Sequence, residues 1–387
     1  MKQSRDRILT THAGSLPRPP DLLAMMQAIG TGQAREGPAY TARVRRAVAD
    51  VVQKQVEHGL DVIDDGEMGK PSFVTYVVER LAGFAPSAEP GELPWAGSRE
   101  VTAFPEFYEP MLRQSPNAAA ARFTCTGPVS YRGHREVQAD IDNLKTALEG
   151  VSVEDAFLPA ISPSNVEGRH TNQYYRTDEE YLFAIADAMR EEYKAIVDAG
   201  LLVQIDDPRL VTYYIMNPRA SVAECRRWAE VRVEALNHAL RDIPRDRVRF
   251  HTCYSINMGP RVHDMELKDV VDIILKIRAG AYSFEAANPR HEHEWRVWEH
   301  VRLPEGALLI PGVITQSTVL VEHPELVAER IVRYANVVGR ENVIAGADCG
   351  FATFAGSTEI HPTVAWAKLK SLADGARLAT KTLWGRS

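Results

Sequence analysis

The chain has 387 residues, of which 45% are hydrophobic and 25% charged, and its formal net charge is −7. That balance supplies a globular core, and basic residues that are scattered rather than massed argue against nucleic acid or an anionic membrane as the main partner. No apolar run approaches the roughly 20 residues a membrane-spanning helix needs. The stretch from Met1 to Leu9 is charged and lacks the apolar region of a signal peptide, so the expected location is the cytoplasm.

Short apolar runs alternate with longer amphipathic segments along the chain. Residues 8–11 and 61–64 read as strands, with a helical pattern over 41–58 between them. Further runs lie at 122–126, 156–161, 202–205, 248–252, 282–285, 308–313 and 343–347, and helical patterns at 178–199, 222–240, 267–277 and 324–338. Such alternation predicts a parallel sheet with helices outside it. Nine candidate strands suit an α/β fold of the (β/α)8 TIM barrel type with one strand left over, and residues 156–161 are expected to be the extra one. A barrel of this kind takes about 250 residues and exceeds 400 with insertions, so residues 1–387 read as a single domain with loop insertions at the C-terminal face of the strands. Two such excursions stand out. Residues 85–97 are rich in Pro, Gly and small side chains around Trp95, and residues 162–177 carry Asn165, Arg169, His170, Tyr174 and Tyr175 with little periodicity. Each reads either as a lid or binding loop or as a solvated connection.

The four cysteines are Cys125, Cys225, Cys253 and Cys349. In a reducing compartment each is either a buried small hydrophobe or a metal-binding or catalytic thiol. The strand ends change those odds for two of them, because the active site of a TIM barrel sits at the C-terminal ends of its strands. In order, those ends read Thr11-His12-Ala13-Gly14-Ser15, Asp64-Asp65-Gly66-Glu67, Gln204-Ile205-Asp206-Asp207, His251-Thr252-Cys253, Phe284-Glu285 and Ala347-Asp348-Cys349-Gly350. His251 and Cys253 are two apart and point to the same side of their strand, and Glu285 and Cys349 end two later strands. One nitrogen, two thiolates and one carboxylate form a tetrahedral set that zinc accepts, and mixed hard and soft ligands without Met suit zinc better than copper(I) or iron. A catalytic zinc usually keeps one position open. Four candidate ligands therefore leave two arrangements: Glu285 leaves or the coordination expands when substrate arrives, or the site is structural. Two sulfur ligands keep a bound thiolate nucleophilic, which suits alkyl transfer to sulfur better than water activation.

These residues resemble the catalytic C-terminal barrel of cobalamin-independent methionine synthase and, more closely, its short single-barrel relatives, which include epoxyalkane:coenzyme M transferase. The resemblance runs from Thr10 to at least Thr353. It rests on Thr11-His12-Ala13-Gly14-Ser15-Leu16-Pro17, Asp65-Gly66-Glu67, Gln204-Ile205-Asp206, His251-Thr252-Cys253-Tyr254 and Asp348-Cys349-Gly350. The stretch Phe284-Glu285-Ala286-Ala287-Asn288-Pro289-Arg290-His291-Glu292-His293-Glu294-Trp295 resembles the short relatives. The resemblance implies that His251, Cys253, Glu285 and Cys349 bind Zn2+, that Ser15 helps hold the homocysteine carboxylate, and that Glu67 and Asp206 hold its ammonium group. Structural pairing of those two acids with Lys70 or Arg209 is the plainer alternative. Two positions depart from the synthase. After Pro311-Gly312-Val313 the synthase has an Asp and then a His that protonates the leaving folate, where this chain has Thr315 and Ser317. After Gly127-Pro128-Val129 it has a tryptophan near the pterin, where this chain reads Ser130-Tyr131-Arg132-Gly133-His134.

The function expected is therefore a zinc-dependent alkyl transferase in the manner of methionine biosynthesis, with methyl transfer to homocysteine as the default. Its partners are a small-molecule thiol and an alkyl donor, and a homo-oligomer is compatible with the sequence. The catalytic acid is unassigned, with His12, His134 and His291 as candidates. The same site would serve an epoxide–thiol transferase of the coenzyme M type or a carbon–sulfur lyase. A sulfonate would need anchors such as Arg18, Arg290 and His291, and retention of Glu67 and Asp206 weighs against it. A structural-zinc protein that binds a ligand without turnover is the reading outside enzymology.

Overall fold

In the strands Leu202–Asp206 and Val248–Thr252 every residue is buried. A parallel sheet covered on both faces buries its strands from end to end, here with Gln204, Asp206, Arg249 and His251 among the buried residues. The computed structural model describes residues 1–87, 95–114, 122–254, 259–357 and 360–385, so most of the Pro- and Gly-rich stretch 85–97 lies outside the described residues. In chain order the strands are β1 (Leu9–Thr10), β2 (Val62–Ile63), β3 (Leu81–Pro86), β4 (Phe123–Tyr131), β5 (Asp155–Ile161), β6 (Thr171–Asn172), β7 (Leu202–Asp206), β8 (Val248–Thr252), β9 (Ala281–Phe284), β10 (Leu308–Ile314) and β11 (Ile344–Ala347). Eight of them form one parallel sheet in the order β1-β11-β10-β9-β8-β7-β5-β2. The two ends of this sheet meet: Asp61 N donates to Thr10 O at 3.1 Å and Thr11 Oγ1 to Val62 O at 2.8 Å. The result is a nearly closed (β/α)8 barrel.

All nine expected strands form, but the extra strand is not the one expected. β5 sits inside the barrel between β2 and β7, while β4 lies outside it, pairing antiparallel with β3 and parallel with β6. Burial explains the swap. β5 is buried at six successive positions, as a barrel strand must be, whereas β4 alternates toward its end and covers only one face. Both insertions, the long one carrying β3 and β4 and the short one carrying β6, follow the C-terminal ends of barrel strands.

The outer helices follow their sequence signals. Pro38–Glu57 begins with Pro in its first turn, Thr177 caps Asp178–Asp198, and Ser221 with Glu224 forms a capping box on Val222–Ala239. Pro324–Val338 forms as expected. The helix expected over 267–277 is reduced to a tight turn at Leu267–Asp269 and the four residues Val271–Ile274. Side chains take the carbonyls that a longer helix would use: Tyr282 Oη donates to Leu275 O and Ile277 O, and Asn237 Nδ2 donates to Lys276 O. The last helix, Pro362–Trp384, braces β1, since Ile8 N donates to Thr380 Oγ1 and Trp384 Nε1 to Arg5 O. No described helix is long and apolar enough to cross a membrane.

Candidate metal centre and substrate pocket

Three donors converge at one end of the barrel. His251 on β8, Cys253 just beyond it and Cys349 just beyond β11 are all buried, with ligand atoms within 4.8 Å of one another. The two sulfurs are 3.2 Å apart. His251 Nδ1 lies 3.0 Å from Ser283 Oγ on β9, while its Nε2 is buried with no hydrogen-bond partner. An unsatisfied buried nitrogen is costly in a finished core. Facing two thiols, it fits a metal ion, and the Ser283 contact is the kind of support that fixes which ring nitrogen points at the metal.

Glu285 stands apart from this trio. Its carboxylate faces Arg261, with Nη1 3.1 Å from Oε2 and Nη2 3.2 Å from Oε1. Tyr254 N and Asn288 Nδ2 also donate to it, at 2.6 and 2.5 Å. Burial, partly offset by Arg261, raises its carboxyl to about 7. Asp348 ties these strand ends together, accepting from the backbone amides of Ala286, Ala287 and Asn288 at 2.7, 2.9 and 2.9 Å. Arg261 and Ser283 carried no signal in the sequence, because their roles depend on neighbours far along the chain.

The residues expected to hold an amino acid cluster beside the trio. Ser15 is tied at both sides of its backbone, with Leu16 N donating to Gly66 O and Phe351 N to Ser15 O. At Gly350 any added Cβ would sit 2.2 Å from Ser15 Oγ, so glycine is what lets the Cys349 strand end lie against Ser15. Gly14, at φ +127°, would put a Cβ 3.1 Å from Glu67 Oε1. Glu67 itself adopts φ 54°, a left-handed backbone uncommon for a non-glycine residue. That turn is held by Asp64 Oδ1 accepting from Gly66 N, Asp65 Oδ1 from Glu67 N, and Arg18 donating to Glu67 O, Lys70 O and Ala352 O. Asp206 Oδ1 accepts from Gln204 Nε2 at 2.8 Å. Ser15 Oγ and Glu67 Oε2 are buried without a partner. Burial raises the carboxyls of both acids, that of Asp206 to about 7. The plainer pairing does not form: Lys70 donates to Pro159 O, Arg209 pairs with Glu167, and among the described residues neither Glu67 nor Asp206 has a salt-bridge partner. Two buried acids with no ion-pair partner among the described residues suit an incoming cation.

The three candidate proton donors are all otherwise engaged. His12 Nε2 is 2.7 Å from Gln55 Oε1 and its Nδ1 accepts from Gly14 N, while burial lowers its pKa to about 4. His134 is exposed on the helix His134–Ala147, 2.7 Å from Glu191 on the neighbouring helix. His291 is clamped between Asp264 and Glu294 and stacked 3.7 Å from Tyr254. Burial opposes its charge, yet those two acids raise it to about 9. Ser317 is half-buried on the loop after β10, its amide donating to Thr315 Oγ1.

Residues 8–126 and 167–370 match the family model of the cobalamin-independent synthase catalytic domain. The chain belongs to this family. Its relatives include the methionine synthase of Thermococcus kodakarensis, 26% identical over 97% of this chain and 94% of that protein. The 5-methyltetrahydropteroyltriglutamate–homocysteine methyltransferase of Thermotoga petrophila is 24% identical over 98% of this chain and 46% of that protein. Among solved structures, a B12-independent methionine synthase from Shewanella sp. W3-18-1 in complex with selenomethionine superposes with a TM-score of 0.73 at 20% identity, covering 98% of this chain and 100% of that one. That likeness shows the fold. The family match passes over residues 127–166, the segment that carries His134.

Proposed function

We propose that the chain is a zinc-dependent enzyme that methylates the thiol of homocysteine or a closely similar amino acid, as the names of its relatives suggest. The observation that carries this reading is the unpartnered His251 Nε2 beside two thiols 3.2 Å apart. His251, Cys253 and Cys349 would hold the metal, with Glu285 as fourth ligand. Bound zinc keeps a substrate thiol as the nucleophilic thiolate at neutral pH. The protein's own groups do the rest. Ser283 fixes the His251 ring, Ser15 donates to the substrate carboxylate, and Glu67 and Asp206 accept from its ammonium group. The buried walls exclude water, so these charged hydrogen bonds count more than they would in solvent.

The same pocket argues for an amino-acid thiol over a sulfonate. Arg18 spends its guanidinium on three backbone carbonyls, and Arg290 reaches Val262 O. All four cysteines are buried and outside any disulfide, in keeping with a reducing cytoplasm. X-ray absorption at the zinc edge, recorded with a panel of thiols, tests the reading. Homocysteine should add a zinc–sulfur contact, and 2-mercaptoethanesulfonate should not. The opposite pattern would overturn the choice of acceptor, and protein that retains no zinc would overturn the metal.

A further inference from the structure

Every oxygen of the Glu285 carboxylate is already occupied in this structure. Arg261 donates to both, Asn288 Nδ2 also donates to Oε2, and the Tyr254 amide to Oε1. The three metal-capable atoms of His251, Cys253 and Cys349 gather without it. Arg261 is itself rigidly placed. Its Nε donates to Asp264 Oδ2 at 2.9 Å, its backbone amide donates to Glu100 Oε2 at 3.2 Å, and its φ of 57° is the left-handed conformation that non-glycine residues adopt only when their surroundings demand it.

We propose that Arg261 is a positioning residue that receives the Glu285 carboxylate when a substrate thiolate takes the fourth place at the metal, and returns it when the thioether leaves. The proposal rests on the zinc–thiolate reading above. The exchange would balance in charge, since one anion, the Glu285 carboxylate, would give way to another, the thiolate, whose proton would pass to solvent. A buried carboxylate set free without a partner would be costly enough to forbid the step. A guanidinium already facing both oxygens removes that cost. The same grip competes with the metal. By holding Glu285 in the other arrangement, Arg261 lowers the apparent zinc affinity of the thiol-free protein by the fraction of molecules in which the carboxylate is engaged.

The test is zinc affinity by chelator competition, in wild type, Arg261→Gln and Arg261→Lys, each with and without Glu285→Gln. Arg261→Gln should bind zinc about tenfold more tightly or better, the scale expected from losing charge-assisted hydrogen bonds that compete with the metal. Arg261→Lys, which offers one point charge instead of a two-pronged donor, should fall between. Both gains should vanish with Glu285→Gln. X-ray absorption should show a zinc–oxygen contact that homocysteine displaces from wild type but not from Arg261→Gln. Folded Arg261→Gln with unchanged zinc affinity would overturn the proposal, as would a gain that persists beside Glu285→Gln. If Arg261→Gln does not fold, Arg261→Lys carries the same comparison. Wild type that takes up no zinc would instead sink the zinc reading itself.

Discussion

The sulfurs of Cys253 and Cys349 lie 3.2 Å apart although the two residues are 96 positions apart in sequence. Cys125 and Cys225 have no such company: Cys125 donates to Gly127 O on the outer sheet, and Cys225 is a buried residue of the helix Val222–Ala239. Purified protein should therefore carry about one zinc per chain, as a site of this ligand type does. Cys253→Ser and Cys349→Ser should lose it, and Cys125→Ser and Cys225→Ser should keep it. Because ligands shed protons to bind, zinc affinity should weaken toward acid pH. Metal analysis that finds full zinc in Cys349→Ser would reject the ligand set.

Glu67→Gln and Asp206→Asn should raise the KM for an amino-acid thiol far more than for the same thiol without its amine. Each charged hydrogen bond lost is worth about 1.5–3 kcal/mol, or roughly 10- to 150-fold. Steady-state kinetics with homocysteine and 4-mercaptobutyrate separate the cases. Equal losses for both thiols would mean that the two acids hold something other than an ammonium group.

His170 gives a prediction about stability. Both ring nitrogens are buried without a hydrogen-bond partner among the rings of Phe84 and Phe123, and burial lowers the pKa to about 3. Above pH 6.5 the imidazole is neutral in both folded and unfolded chains, and its titration leaves stability independent of pH. Below it the unfolded chain binds a proton that the folded chain refuses, so stability falls through the window from pH 6.5 down to about 3. His170→Leu removes this contribution. Between pH 7.5 and pH 5, urea unfolding of wild type should lose about 2 kcal/mol more stability than the variant does. Equal losses would show that the imidazole is charged or solvated in the folded state.

A fourth prediction concerns the methyl donor. Ser317 stands where the resemblance to the synthase places a proton-donating His, and each of the three candidate histidines has a ring nitrogen held by another side chain. Wild type should transfer methyl from methyltetrahydrofolate to homocysteine slowly, and Ser317→His alone should recover little of the roughly 10²–10⁴-fold that general acid catalysis supplies. A small activated donor that needs less protonation should turn over faster. Efficient turnover of the folate at micromolar concentration would refute this and make His291 the first residue to substitute.

The barrel was legible because its strands are short apolar runs and its helices carry caps and amphipathic spacing, both local properties of the chain. The misplaced strand shows the limit. Residues 122–126 and 156–161 look alike as apolar runs, and only the alternating exposure that follows Thr126 marks β4 as covering a single face. At the site, the metal-capable residues could be read because strand-end position and residue type together define them. The partner of Glu285 could not. Arg261 follows Cys253 at no motif spacing, and its role arises only when the chain beyond β8 folds back over the end of β9.

Asp348 has a consequence for how this fold can change over time. It anchors the end of β9 through the peptide N–H groups of residues 286–288, which every amino acid except proline supplies equally. Ala286 and Ala287 thus contribute through their backbones alone, whereas Asn288, whose Nδ2 also donates to Glu285, is the member of the stretch whose substitution would loosen the hold.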